Sequence, residues 1–278
     1  ACCGKLNYKA NDFRMQYFEI NLSGCILDHW LYTAGMYQNF DPGSFKLRFT
    51  DYADRTQIYH FGLTRILGDG KGRISLLYKY SNSKNPGNFA NAAPFIYVGD
   101  GSIKKLAGFD PGLDSYVQRQ GSFKYLNTKT GKMETWNMTD VTDNHANEVA
   151  LVSQYQFDNG WLRKFNAKYM DAPRANCVDY GGSTISEVSA ADGYQLSDGS
   201  AYSGLIEGRR TWLHFGKVSN ALLTTEMSKQ LNSHKLMIGL NEWYYKLNSY
   251  SSSFQWAGTV EAYPRTVSQM YVNPLDPT

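Results

Sequence analysis

The residues able to do chemistry are few and far apart. Five histidines (His29, His60, His145, His214, His234) are scattered along the chain. No Ser or Cys sits in the Gly-x-Ser-x-Gly turn that exposes a hydrolytic nucleophile. Asp51, Asp54, Asp110, Asp114 and Glu134 could supply the two carboxylates of a glycosidase if folding brought a pair together; as solvated loop acids they need no such role. Oxygen-rich loops suit hard cations, so Asp41, Asp51 and Asp54, or Asp100 and Asp110, are the places where calcium could sit. No other metal and no cofactor is expected. Gly68-x-Gly70-x-Gly72 lacks the Gly-Lys-Ser/Thr and the following helix of a phosphate loop and reads as a turn. Cys2, Cys3, Cys25 and Cys177 form no Cys-x-x-Cys pair, and only Cys25 with Cys177 is a conceivable disulfide. An enzyme is therefore not expected.

What remains is aromatic. Residues 82–146 carry Phe95, Tyr97, Phe109, Tyr116, Phe123, Tyr125 and Trp136 among Gly, Asn and Asp. That mixture suits stacking on sugar rings or planar ligands with polar groups alongside. Tyr97, Asp100, Tyr116, Tyr125 and Trp136 are the predicted ligand contacts. The competing expectation is that the rings pack the segment on itself.

The elements that must carry these residues are strands. Aromatics are 15% of the 278 residues, with 21 Tyr and 6 Trp, a bias that favours strands over a helical bundle. With 28 basic and 25 acidic residues dispersed along the chain, no nucleic-acid patch stands out. Mean hydropathy is −0.47, and no run nears the roughly 18 apolar residues of a membrane helix. Barrel strands are half polar by construction, so a membrane barrel reads as hydrophilic on average.

Period-2 alternation marks strands over 13–23, 30–38, 56–67, 73–81, 147–157, 161–169, 209–216 and 235–247, with a smaller one over 45–49. Residues 68–72 and 158–160 are Gly/Asn/Asp turns of hairpin type. Residues 82–146 and 171–208 are long polar connections of a kind that compact soluble domains seldom contain. Short and long connections alternate, the rule of a membrane barrel with short periplasmic turns and long outer loops. Residues 217–234 break the rule, and 221–230 read as a brief helix. Trp30, Tyr32, Tyr78, Tyr80, Tyr169, Trp243 and Tyr244 fall near strand ends, where membrane barrels place aromatic girdles.

Several strings in this order resemble the barrel of Bacteroidetes-type TonB-dependent receptors. They are Asn21-Leu22-Ser23-Gly24, Tyr37-Gln38-Asn39-Phe40-Asp41-Pro42-Gly43, Asp54-Arg55-Thr56-Gln57-Ile58-Tyr59, Ala93-Pro94-Phe95-Ile96-Tyr97-Val98-Gly99-Asp100-Gly101 and Asn241-Glu242-Trp243-Tyr244-Tyr245. The first turn departs from the family, reading Ser23-Gly24-Cys25-Ile26 where Ser-Gly-Pro-Leu is usual. The resemblance implies an all-β, antiparallel up-and-down transmembrane β-barrel segment with long extracellular loops. About nine strands of a larger barrel are expected across residues 1–278, without plug or closing strands. It also implies a place in the cell outer membrane, in contact with lipid, and import of a nutrient ligand, small or oligomeric, such as a glycan, peptide or chelated metal. Implied partners are the TonB complex, through a plug, and a surface lipoprotein; nucleic acid is not among them. The alternative is a soluble secreted β-rich carbohydrate-binding module, suggested by the aromatic loop.

Overall fold

The computed structural model describes all residues except 1, 45–46, 48–49, 69, 86–95, 111, 117–121, 138–141 and 270–278, and omits the side chains of 96–97, 103, 179–183 and 269. In chain order the strands are β1 (Cys3–Ala10), β2 (Gln16–Leu27), β3 (Trp30–Asp41), β4 (Asp54–Leu67), β5 (Gly72–Asn85), β6 (Ile96–Tyr97), β7 (Ile103–Lys104), β8 (Ser122–Asn127) and β9 (Lys132–Asn137). They continue as β10 (Thr142–Gln156), β11 (Trp161–Ala175), β12 (Cys177–Val188), β13 (Tyr194–Leu196), β14 (Gly204–Leu231), β15 (His234–Thr259) and β16 (Thr266–Gln269). Every pairing is antiparallel. One 12-stranded sheet runs β1-β2-β3-β4-β5-β10-β11-β14-β15-β16-β13, with β12 also on β14; β6-β7 and β8-β9 are separate hairpins. The fold is all-β and up-and-down, a curved wall of the kind that closes into a barrel.

The expected alternation of connections is present and is more regular than the sequence suggested. Residues 28–29, 68–71, 157–160 and 232–233 are tight turns, all at one end of the sheet because consecutive strands run up and down. His29, Gly68, Gly160 and Asn232 adopt positive φ (66°, 54°, 84° and 51°), the geometry that short hairpin turns demand. The opposite end carries the long links that follow β3, β5 and β12, and also two short ones, 11–15 between β1 and β2 and 260–265 between β15 and β16. Residues 221–230 are not a helix. β14 runs unbroken for 28 residues and meets β15 through Asn232-Ser233, from Leu231↔His234 to Ile206↔Thr259 without a register shift. The apparent break in the alternation came from a strand too long to be recognised as one. Likewise 171–208 is mostly strand: β11 passes through Asn176 into β12, and the two together line β14 from Lys229 to Gly204. β1, unmarked by alternation in our reading, pairs with β2 from Cys3↔Ser23 to Ala10↔Gln16. The small strand expected at 45–49 lies mainly outside the described residues, and Leu47 and Thr50 carry no regular structure.

Directly paired residues of antiparallel strands share a face, so the registers trace each face from strand to strand. One row reads Leu22, Ala34, Phe61, Tyr78, Val149, Tyr169, Ala221, Tyr244, and the next Tyr32, Leu63, Leu76, Leu151, Ala167, Leu223. The opposite face carries Asn7, Glu19, His60, Lys79, Glu148, Lys168, Lys164 and Glu226. Segregation thus runs from β1 to β15, and up to the level of Val218 no second sheet among the described residues covers the apolar side. Phe61, Leu76, Val149 and Ile238 are 50%, 51%, 44% and 70% exposed. Departures exist on both faces: Glu242, on the outermost long strand, stands in the Tyr32–Leu223 row, and Leu77, Val152, Leu222, Trp243 and Tyr245 stand on the polar face.

Among the described residues two sheet edges are unpaired, the outer side of β1 and most of β15, which meets β16 only at Ala257 and Gly258. Near the tight-turn end, Gly72 pairs with both Leu67 and Tyr155. A Cβ at Gly72 would lie 2.7 Å from the Gln154 carbonyl oxygen and against the Tyr155 ring. Backbone cannot yield there as a flexible side-chain tip would. Gly72→Ala is expected to cost about 1–3 kcal/mol, the usual penalty of overpacking, while neighbouring Arg73→Ala stays within about 0.5 kcal/mol. Urea unfolding of both variants in detergent micelles measures the contrast.

Candidate functional site

The site is a wall with two unlike faces and a cap at its long-loop end. Across the polar face, Lys168 and Lys79 reach Glu148 at 3.2 and 3.6 Å, and Lys164 reaches Glu226 at 3.6 Å. Farther along, the Glu19 carboxylate accepts hydrogen bonds from Tyr17 Oη (2.7 Å), Asn21 Nδ2 (2.7 Å) and Asn7 Nδ2 (2.9 Å). Gly35 sits between Asn21 and His60 in register, and a side chain there would collide with both. These pairs are partly solvated, so each contributes little to stability. Their importance is chemical: the face is wet, bipolar and able to hydrogen-bond whatever passes it.

The apolar face ends in aromatics at both limits. On the long-loop side, Tyr59 stacks with Tyr80 at 6.3 Å, and Tyr78 donates to Asn147 Oδ1 at 2.8 Å. On the tight-turn side, Arg65 lies over Trp30 at 5.4 Å, Arg163 over Phe165 at 5.7 Å and Lys229 over Trp161 at 6.0 Å. Rings with cationic tips fit a boundary between apolar and polar surroundings. Of the residues expected in girdles, Trp30, Tyr32, Tyr78, Tyr80, Tyr169 and Tyr244 lie on this face. Trp243 does not; it pairs with Leu222 on the opposite face.

Beyond Val218, β14 and β15 rise past the rest of the wall, flanked by β12. Their apolar face continues there as Phe215, Leu213, Phe254 and Trp256, and here it is covered. The β8-β9 hairpin lays Phe123, Tyr125 and Trp136 onto Leu213 and Val178, with Phe215, Phe254 and Trp256 against the same cluster. Phe123 is the hub, with ring centroids 5.2 Å from Trp256, 5.5 Å from Phe254 and 6.1 Å from Trp136. Thr128, in the hairpin turn, locks it by donating to the Ser251 carbonyl at 2.8 Å. Above this core, Glu207 and Arg209 form a buried ion pair at 2.9 Å, with the guanidinium 5.2 Å from the Tyr116 ring and 5.8 Å from Trp256. Burying such a pair is costly unless partners surround it, and the aromatic faces serve as partners.

The predicted ligand contacts therefore divide. Tyr116, Tyr125 and Trp136 are 2%, 5% and 5% exposed. They are the core of the cap and offer no free ring face, which corrects the ligand-contact assignment for these three and matches the competing expectation of packing, although on β14 and β15 rather than on the segment itself. Asp100 is exposed and accepts from the backbone N–H (2.8 Å) and hydroxyl (2.5 Å) of Ser102; those bonds hold its carboxyl below the ordinary range, as befits a turn-former. The Tyr97 side chain lies outside the described residues. The calcium candidates are likewise occupied locally: Asp41 accepts from Gly43 N–H, Asp54 from Asn39 and Thr56, Asp110 from Gly112 N–H. Among the described residues no three His, Cys, Asp or Glu side chains gather as a metal site. Cys25 and Cys177 are free thiols, so the conceivable disulfide is not formed.

What the sequence reading missed is a cleft of about 810 Å³ beside the cap, lined by Phe123, Arg209, Arg210, Trp212, Phe254 and Trp256 among others. Arg210 lies over Trp212 at 5.1 Å and donates to Ser253 Oγ at 3.3 Å. The signal was present in β8, whose alternation buries Phe123, Tyr125 and Asn127 and exposes Ser122, Lys124 and Leu126. What it lacked was any cue to the partner strands β12, β14 and β15, the nearest of which begins 50 residues after β8 ends.

No family model and no curated protein sequence matches the chain. Among solved structures, the siderophore receptor PiuA from Acinetobacter baumannii aligns over 93% of this chain with 10% identity and a TM-score of 0.33. The chain spans 49% of that receptor, about half its length. The β domain of the Bordetella autotransporter Brka aligns over 96% of this chain and 92% of its own, with 11% identity and a TM-score of 0.22. Both likenesses are slight. Strand order, register and segregated faces carry the description given above.

Burial, then the hydrogen bond to Glu134, pushes the Tyr125 hydroxyl up to about 12, and burial with the nearby Glu207 raises Tyr116 further. A phenol whose folded value exceeds its unfolded value of about 10 stabilises the fold fully below that pH and ceases to as pH climbs through the folded value. The cap is expected to hold unchanged to about pH 10 and to loosen between about 10 and 12, read as late tyrosinate absorbance. Trp136→Ala, which empties the core, should cost about 3–5 kcal/mol and bring that absorbance to lower pH; an unchanged titration curve contradicts the packing described.

Proposed function

We propose that the chain is part of an outer-membrane transport barrel, the wall of a TonB-dependent receptor that imports a nutrient ligand such as a glycan, a peptide or a chelated metal. The observation that carries this reading is the face segregation. A nine-strand run of antiparallel pairs, β1 to β15, presents bare apolar side chains on one side and mostly charged or hydrogen-bonding ones on the other. A soluble sheet would cover its apolar side, whereas a barrel wall turns it to lipid and its polar side to a watery lumen. The gathering of the long connections at one rim, where the only short links among the described residues are 11–15 and 260–265, agrees with an extracellular end there and a periplasmic end at the rim of tight turns.

On this reading the chain performs no catalysis. The polar face lines the path of the ligand, and near its long-loop end Arg210 lies over Trp212 on that same face, a cation and ring that suit a ring-bearing ligand with polar groups. Closure of the wall requires strands against β1 and β15, since unpaired peptide groups in hydrocarbon cost several kcal/mol each. Energy coupling would pass through a plug and its contact with TonB, neither of which is part of the wall described. The Bacteroidetes-type affiliation and a surface-lipoprotein partner rest on the sequence strings alone. The soluble carbohydrate-binding alternative loses its motive, because Tyr116, Tyr125 and Trp136 are buried.

Topology tests the reading in cells that make the whole protein, with native cysteines replaced by serine. Asp198→Cys, in the 189–203 connection, should react with a membrane-impermeant maleimide on intact cells. Ser233→Cys, in the β14-β15 turn, should react only after the outer membrane is permeabilised, and the protein should leave the membrane fraction only with detergent. Recovery in the aqueous fraction, or equal labelling of both sites on intact cells, refutes the proposal.

A further inference from the structure

Just past the upper aromatic row, the character of the outward face changes from apolar to cationic. Four residues beyond Tyr59 on β4 comes Arg55, and its cross-strand partner is Lys84, four beyond Tyr80 on β5. On β14, Lys217 occupies the same face four residues above Ala221, and on β11 a register shift past Asp171 brings Arg174 opposite His145 on that face. Lys129, in the β8-β9 turn, reaches down from the cap and lies 5.2 Å from the Tyr250 ring. Acid is scarce at this level. Asp143 alone meets both Arg174 (2.8 Å) and Lys84 (3.7 Å), one carboxylate against two cations, and Asp171 stands one rung lower.

Three of these groups converge. A concavity of about 1050 Å³, at the point where β14 and β15 rise above β11, is lined by Lys129, Arg174 and Lys217 together with His145, Phe215 and Tyr250, and no carboxylate is among its lining residues. Phe215 and Tyr250 are stacked at 4.9 Å with planes 20° apart, forming an aromatic wall beside the cations. Cations suit phosphate, and an aromatic wall suits the face of a sugar ring. The volume is that of a small-molecule site.

We infer that this concavity holds the phosphorylated sugar headgroup of an outer-leaflet glycolipid. The inference rests on the barrel reading, which makes the apolar rows below it the lipid-facing surface. A lipid whose acyl chains lie along Phe61, Tyr78, Val149 and Tyr169 brings its headgroup to the level of Lys217 and Arg174 without leaving the membrane. A free anion gains nothing from that apolar surface, which is why the lipid is the occupant.

The test uses the full-length protein in a neutral detergent, titrated with bis-phosphorylated lipid A, with the same lipid after enzymatic dephosphorylation, and with inorganic phosphate. Binding is expected for phosphorylated lipid A only, and Lys129→Gln with Lys217→Gln should weaken it about thirtyfold, the effect of removing two basic side chains at a membrane surface. Lys129→Arg with Lys217→Arg should retain it. Equal binding of the dephosphorylated lipid, an unchanged affinity in the glutamine variant, or saturation by inorganic phosphate alone overturns the inference. Labelling of apolar-face and polar-face cysteines in the same preparation reports the barrel separately. Face-selective labelling without phosphate preference removes this site and spares the barrel; loss of face selectivity removes both.

Discussion

On the barrel-wall reading one constraint governs the structure: hydrocarbon gives a peptide group nothing to bond to. An antiparallel ladder satisfies each backbone N–H and C=O from the neighbouring strand. Once the ladder exists, alternation sends successive side chains to opposite sides, so one strand can meet two different solvents. The sequence needs only to keep its parity. Phe61, Leu63 and Tyr59 hold one parity in β4, His60, Gly62 and Thr64 the other, and the registers carry the same division through to β15.

The same constraint explains the cap. Within the wall the apolar face stays bare. Along the taller β14-β15 ribbon the parity does not change, and Leu213, Phe254 and Trp256 continue the apolar series into a region where lipid would no longer cover them. There the β8-β9 hairpin covers them instead. The change from exposed Phe61 and Ile238 to buried Leu213, at 1% exposure, marks the height at which the cap covers this face; on the proposed reading, protein there replaces lipid as its partner. The cationic groups Lys84, Arg174 and Lys217 lie at that boundary, which gives the wall three zones, apolar, charged and capped, in ascending order.

Much of this was legible in the sequence, and the losses have physical causes. Alternation and Gly/Asn turn chemistry located β3, β4, β5, β10 and β11 closely, because each is bounded by a tight turn on at least one side. β14 was divided in two because Ser219, Asn220 and Ala221 lack the large apolar residues that mark a strand, and Ala, Leu and Glu raise helix propensity over 221–230. Pairing along two neighbours overrode that preference. The aromatic residues of the long connection were correctly seen as unusual, but sequence could not say whether Tyr125 and Trp136 faced a ligand or a core. That depended on Leu213, Phe254 and Val178, none of which is near in sequence. Glu207 and Arg209 were invisible for the same reason: only the fold shows that they are buried.

The most direct measurement of the central claim is a spin-label scan along β5, from Ile74 to Tyr80, in the intact protein reconstituted into bilayers. Relaxation by lipid-soluble oxygen and by a water-soluble nickel chelate is compared at each position. The account predicts opposed oscillations of period two, oxygen dominating at 74, 76, 78 and 80 and nickel at 75, 77 and 79. In-phase or flat profiles would mean that the two faces share one environment, and the barrel-wall account would fail.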